Sequence, residues 1–232
     1  KYSLRYTSMF CPVSTHLKDE IVKWINYSPP CTIVPNVVDT DIFKPKNHKN
    51  ELFTLLHISN MKDDHKNVSG ILKTLANFKK EGGIFKLILM GEQSSVYKTL
   101  SAKLDIQEHV EFLDHIPHHE VAHYLQKADL FLLFSNYENL PCVILESFAC
   151  GTPVISTHVG GISEYFPKYF GKLIPKGDQN ALLDALRAYD MKRESIASIE
   201  SMYAYAEEIF SYPAIAEQFS KVYYSILNNA AL

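Results

Sequence analysis

Residues 129–156 read DLFLLFSNYENLPCVILESFACGTPVIS. DLFLLF (129–134) is a short apolar run and reads as a buried strand. SNYENLP is a polar loop that opens directly into PCVILESFAC (141–150), a helix with Pro141 at its expected first position. PVIS (153–156) is again a short strand. Strand, helix and strand joined by short loops make a right-handed βαβ unit, which implies parallel strands covered on both faces.

The same alternation runs outward in both directions. LFTLLHI (52–58) predicts a strand, and the polar loop SNMKDDHKN follows it. Val68, Ile71, Leu72, Leu75 and Phe78 then recur at helical spacing until Gly82-Gly83 stops them. IFKLILM (84–90) is a strand ending in Gly91, a helix is expected around 94–104, and VEFL (110–113) is a short strand. HHEVAHYLQKA is a short helix, GGISEYF a helical start and YFGKLI (169–174) a last strand, after which the chain reads as helical to its end. The fold class is therefore α/β, a Rossmann-like doubly wound parallel sheet with a helical C-terminal tail. Ligands in such sheets lie at the carboxyl ends of strands, which directs attention to the loops after residues 58, 90, 113, 134 and 156.

The 232 residues are 47% hydrophobic and 21% charged, enough for one sizeable core or one and a half domains. A net charge of −3 supplies no basic field for nucleic acid. Cys11, Cys31, Cys142 and Cys150 form no C-x-x-C pair; Cys142 and Cys150 read as small buried packing residues, and the set implies a reducing, cytoplasmic setting. No apolar run approaches the roughly 18 residues of a membrane span. The chain opens at KYSLRYTSMF with no initiator Met, as a piece of a longer protein would. Residues 1–40 carry one helical stripe (Leu17, Ile21, Trp24, Ile25), the break SPPC and an extended TIVPNVVDTDIF, and read as the tail of a preceding domain plus a linker.

The loop before the 141–150 helix is the best candidate site. A helix N-terminus presents unpaired N–H groups and partial positive charge, which suits a phosphate. Pro141 to Glu146 rises roughly 7.5 Å along a helix, so a pyrophosphate at the helix start would leave its ribose near Glu146. A carboxylate suits the two ribose hydroxyls. Glu138, nearer the loop, would meet the group beyond the phosphates. Gly160 and Gly161 let backbone approach a ligand closely, and Lys66 or Lys62 could reach a diphosphate as a point charge.

ENLPCVILESFACGTPVISTHVGGISE (138–164) resembles the nucleotide-sugar site of retaining glycosyltransferase family 4, on the GT-B fold, in its two glutamates separated by seven residues and in the A-C-G-T-P-V-I and G-G segments that follow. IVPNVVDTDIFKP (33–45) looks like that family's interdomain linker, HISNMKDDHKN like its first strand and phosphate loop, and FLDHIP (112–117) like its nucleobase loop. FSYPAIAEQFSKVYYSIL (210–227) looks like the final helix that crosses back to the first domain. The resemblance implies the donor-binding, C-terminal half of a GT-B enzyme: residues 1–40 a remnant of the acceptor domain plus linker, 41–211 the nucleotide-sugar domain, and 212–232 the helix returning to the acceptor domain. It implies transfer of a sugar, with retention, from a nucleoside diphosphate sugar to an acceptor hydroxyl in polysaccharide or glycolipid synthesis.

By the same resemblance Glu138 is the catalytic-site residue on the donor sugar and Glu146 holds the ribose. Backbone around Asn139, Leu140, Pro141 and Cys142 takes the diphosphate and sugar, Lys66 is the phosphate lysine, and backbone near Ile116 meets the base. The family often places an Arg before that lysine; Asn60 and Lys62 stand there instead. No cofactor or metal is required, since a helix N-terminus and Lys can neutralise the leaving diphosphate. The acceptor glycan or glycolipid, and any contact with the inner membrane face, would belong to the full-length protein.

Two other readings stay open. One is a module that binds nucleotide sugars without transferring them. The other is a zinc hydrolase, since His119, Glu120 and His123 have the H-E-x-x-H spacing of a metal-holding helix; a solvated helix face is the plainer account. Asp39-Thr40-Asp41 is read as a turn.

Overall fold

The computed structural model describes residues 7–46, 48 and 50–230. Six parallel strands, β1 (Phe53–Ile58), β2 (Phe85–Met90), β3 (Val110–Leu113), β4 (Leu130–Leu133), β5 (Val154–Thr157) and β6 (Gly171–Ile174), form one sheet in the order β3-β2-β1-β4-β5-β6. Helices connect and flank them: α1 (Thr15–Ile25), α2 (Asp63–Lys66), α3 (Val68–Lys80), α4 (Lys98–Lys103), α5 (His118–Lys127), α6 (Cys142–Ala149), α7 (Gln179–Asp190), α8 (Ile199–Phe210) and α9 (Tyr212–Ala230). The doubly wound reading is what the sheet shows.

The strands are apolar on consecutive positions because both faces are covered. Leu55, Leu87, Leu89, Leu130 and Leu132 enter one core with Ile71, Leu72 and Leu75 of α3 and Leu182 and Leu186 of α7. Their neighbours Leu56, Ile88, Met90, Phe131 and Leu133 enter the other, with Val121 of α5, Ile144, Leu145 and Phe148 of α6, and Met202 and Phe210 of α8. The period of two that divides a strand's side chains thus divides the molecule into two layers.

Four local readings need correction. The polar loop after β1 contains the one-turn helix α2. The segment expected as a helix around 94–104 begins as a 3-10 turn, Ser94–Tyr97, before α4. Pro141 is the residue before α6, its cap, one place earlier than expected. The C-terminal stretch is broken between α7 and α8. The linker is also no mere connector: Val34, Val38 and Phe43 are buried, Val38 and Phe43 belong to the second core, and Val38 N donates to Phe210 O at 2.8 Å. Asp39 caps the turn before Phe43, accepting from Asp41 N and Ile42 N.

His57 joins β1 to β4, the two neighbours at which strand order reverses. Its Nδ1–H donates to Leu132 O at 2.8 Å, so the neutral ring's Nε2 accepts from Ser59 Oγ at 2.8 Å. Ser59 Oγ in turn accepts from Met61 N at 3.0 Å, shaping the loop after β1. Burial drives the His57 pKa down from 6.5 to about 4.

Two outcomes are expected. Phe43→Ala should cost about 3–5 kcal/mol in urea unfolding, as a core aromatic does; a cost below about 1 kcal/mol would detach the linker from the core. Between pH 6.5 and 4 the unfolded chain binds a proton at His57 that the folded chain refuses, so stability falls as pH falls through that window. The loss is about 3 kcal/mol, and its disappearance in His57→Gln, read as the difference between the two pH profiles, checks it.

Candidate functional site

Strand order reverses between β1 and β4, so the loops leaving their carboxyl ends turn apart and open a crevice. Two contacts tie those loops at its floor: Asn136 N donates to His65 O at 2.7 Å and Asn136 Nδ2 to Asp64 O at 3.1 Å. A cleft of about 420 Å³ lies there, lined by Asn60, His65, Lys66, Tyr137 and Glu138 through Pro141, with Asn36, Val13 and Leu17 along one wall.

At its centre Lys66 Nζ lies 2.5 Å from Glu138 Oε1, with side-chain exposures of only 17% and 9%. Each partner is held from behind. Lys66 ends α2, whose Asp63 accepts from both the backbone N and the hydroxyl of Ser69. Asn67 in the left-handed region (φ 48°) then turns the chain into α3. Glu138 Oε1 also accepts from Ser135 Oγ at 2.7 Å, and Ser135 O accepts from Thr157 Oγ1 of β5 at 2.6 Å. The loop is pressed from the other side by Gly160, at φ +60°, where a Cβ would stand 1.9 Å from Glu138 O. Gly161 N donates to Asn139 O at 2.8 Å, and Asn36 Nδ2 of the linker to Leu140 O at 2.6 Å. The two glycines therefore position the glutamate loop by close backbone approach.

Glu146 lies within α6 and is 6% exposed. His118 Nε2, at the start of α5, donates to its Oε1 at 2.7 Å. Burial pushes the Glu146 carboxyl above its ordinary range, and the His118 bond pulls against that.

The cleft gathers Lys66, Glu138, Asn139, Leu140 and Pro141; Cys142 and Glu146 continue along α6. Lys62 is exposed and does not line the cleft, where Asn60 stands instead. Ile116 is half-buried against the second core, outside the cleft lining. Cys142 is exposed, against the expectation of a packing residue, because it is the first residue of α6; Cys150 is 4% exposed, as expected. Glu164 caps α1 across 148 and 149 residues, accepting from His16 N and Thr15 N.

Sequence reasoning missed Ser135, Asn36, His65, Tyr137 and the bond from His118. Ser135, Tyr137 and His65 lie inside loops that the sequence singles out, and His118 stands among four histidines between residues 115 and 123; Asn36 leaves no signal. His119 and His123 of the H-E-x-x-H sit on α5, where His119 faces Glu120 at 4.0 Å and His123 packs edge-on to Tyr124. Among the described residues no three His, Cys, Asp or Glu side chains are grouped to hold a metal ion, so the spacing lacks its third ligand.

A cation and a buried carboxylate in the cleft, with the start of α6 beside them and a second buried carboxylate further along that helix, can together hold an anion that carries hydroxyl groups. Residues 38–206 match the family described as "Glycosyl transferases group 1". The N-acetyl-alpha-D-glucosaminyl L-malate synthase of Bacillus anthracis is 32% identical over 183 residues, 75% of this chain and 46% of that protein. The solved sucrose-phosphate synthase of Thermosynechococcus elongatus superposes with a TM-score of 0.84 at 22% identity, over 95% of this chain and 59% of that one. Anabaena HepE, solved with UDP-glucose, superposes at 0.81 and 19% identity, over 96% and 65%. The chain thus spans about half to two thirds of these relatives, and its fold is the Rossmann-like domain of GT-B structures. With the family match running from Val38 in the core linker to Ala206 of α8, this chain belongs to the group 1 glycosyl transferases.

Proposed function

We propose that this chain is the donor-binding half of a retaining glycosyltransferase, and that the cleft between β1 and β4 binds a nucleoside diphosphate sugar. The observation that carries the reading is the Lys66–Glu138 pair at the strand-order reversal, facing the start of α6. Lys66 takes the diphosphate together with the α6 N–H groups, Glu138 takes hydroxyls of the donor sugar, and Glu146 takes the ribose. In the free chain the lysine and the carboxylate satisfy each other. Donor binding exchanges that pairing for contacts of opposite sign on one ligand, so neither charge is left bare.

As the bond to the sugar lengthens, negative charge builds on the leaving diphosphate and positive charge on the ring. Lys66 and the α6 dipole oppose the first, and Glu138 lies beside the second. Residues 41–211 act as the donor domain; residues 1–40 are a remnant of the acceptor half plus a linker in which Val34 and Val38 are buried and Val38 packs into the donor domain, and α9 returns to the acceptor half, which meets a glycan or glycolipid hydroxyl on the cytoplasmic side. The HepE structure with UDP-glucose supports a uridine donor.

Among UDP, GDP and ADP, UDP is expected to raise the melting midpoint by a few degrees, since ligand at 100 times its dissociation constant adds about 2.7 kcal/mol. Silence from all three sinks the donor reading. Lys66→Ala should weaken UDP at least about tenfold while leaving uridine nearly unaffected, because only the diphosphate meets the lysine. The chain alone should transfer little or no sugar; robust transfer to an acceptor glycan would overturn the division into halves.

A further inference from the structure

His118 begins α5 with its side chain 69% exposed, yet it is held on two sides. Its Nε2–H bonds Glu146 Oε1 at 2.7 Å, and its ring lies on Phe43 with centroids 5.0 Å apart. Phe43 is fully buried in the second core, so the imidazole rests on a fixed wall. The contact reaches across 28 residues, from the first turn of α5 to the middle of α6. Among the described residues His118 is the side chain that hydrogen-bonds this carboxylate, and only Oε1 is engaged. The remaining titratable groups near Glu146 are Cys142 and Cys150, both on or beside α6, and both thiols are pushed up by burial, so neither supplies charge.

We infer that His118 is a positioning residue for ribose: seated on Phe43, its imidazole holds Oε1 of Glu146 and aims the carboxylate so that nucleotide binding depends on the ribose 2′-hydroxyl. The inference rests on the donor reading above. A glutamate has rotatable bonds to freeze before it can accept from a diol, and freezing them beforehand removes that cost from binding. The His118 bond also works toward an acceptor at Glu146. Burial favours the protonated acid, which would present a donor to one hydroxyl, and a hydrogen bond to the charged form opposes that. His118 has no place in the family resemblance, and its exposed edge leaves it free to be replaced without opening the core.

The test is calorimetric binding of UDP, GDP and ADP, each beside its 2′-deoxy form, to this chain and to His118→Ala, His118→Gln and Glu146→Gln. The wild type should bind one ribonucleotide about tenfold more tightly than its deoxy form, as expected for a hydrogen bond to a charged group. In His118→Ala the ratio should fall toward unity, chiefly through weaker ribonucleotide binding. In His118→Gln, whose amide can donate to the same oxygen, it should partly recover, with circular dichroism unchanged. His118→Ala added to Glu146→Gln should change the ratio no further. A ratio preserved in His118→Ala overturns the inference and leaves the donor reading standing. Tighter binding by His118→Ala also overturns it, since His118 would then compete with ribose. If no nucleotide binds the wild type, the donor reading fails and the inference falls with it.

Discussion

Everything at the site depends on β1 and β4 lying side by side while their onward connections leave in opposite directions. Right-handed crossovers send α3 to one face after β1 and α6 to the other after β4. The two loops therefore diverge, and the crevice between them is a consequence of handedness before any side chain is chosen. His57 reinforces that seam from within, a buried neutral ring bonded to β4 on one side and to the loop of β1 on the other. An imidazole that refuses a proton down to about pH 4 serves as a neutral strut.

A crevice walled by two apolar cores is a costly place for charge, and the structure answers that cost locally. Lys66 and Glu138 neutralise each other, and Ser135 supplies a further donor to the carboxylate. Glu146, deeper in α6, has an imidazole in place of a lysine. The difference matters for chemistry. A Lys–Glu pair is two full charges that a diphosphate and a sugar can separate. A His–Glu contact engages one carboxylate oxygen, Oε1, and shapes one acceptor. The two glutamates, with seven residues between them in sequence, thus face different partners because one lies in a loop and the other is inside a helix.

Much of this was legible in the residues. The strands were readable because burial on both faces makes them continuous apolar runs, and short runs between polar loops leave little room for helix. The 138–164 block gave away its site because Gly160 and Gly161, Pro141 and the glutamates each answer to a distinct backbone or charge requirement. What stayed hidden was contact across long sequence separation. Nothing near Asn36 signals that its amide bonds Leu140 O, and nothing near Glu164 signals that it caps α1. Cys142 was misread for a related reason: beside Val143, Ile144 and Leu145 it looks like core, yet as the first residue of α6 it is the exposed position of that run. A helix of eight residues has too few turns for its pattern to reveal which end is open.

The H-E-x-x-H shows how a spacing that names one chemistry can sit beside another. On α5, His119 and His123 are one turn apart and have no third ligand among the described residues. The histidine immediately before them, outside the motif, is the one that reaches a carboxylate in the candidate site. Its position follows from α5 ending the β3 loop, where the first turn of a helix points back toward the carboxyl edge of the sheet. A surface helix can therefore be ordinary along most of its length and still contribute at its first residue. That residue touches both the segment before β1, through Phe43, and α6, through Glu146, so one imidazole joins that segment to α6 beside the direct bond from Asn36 to Leu140 O.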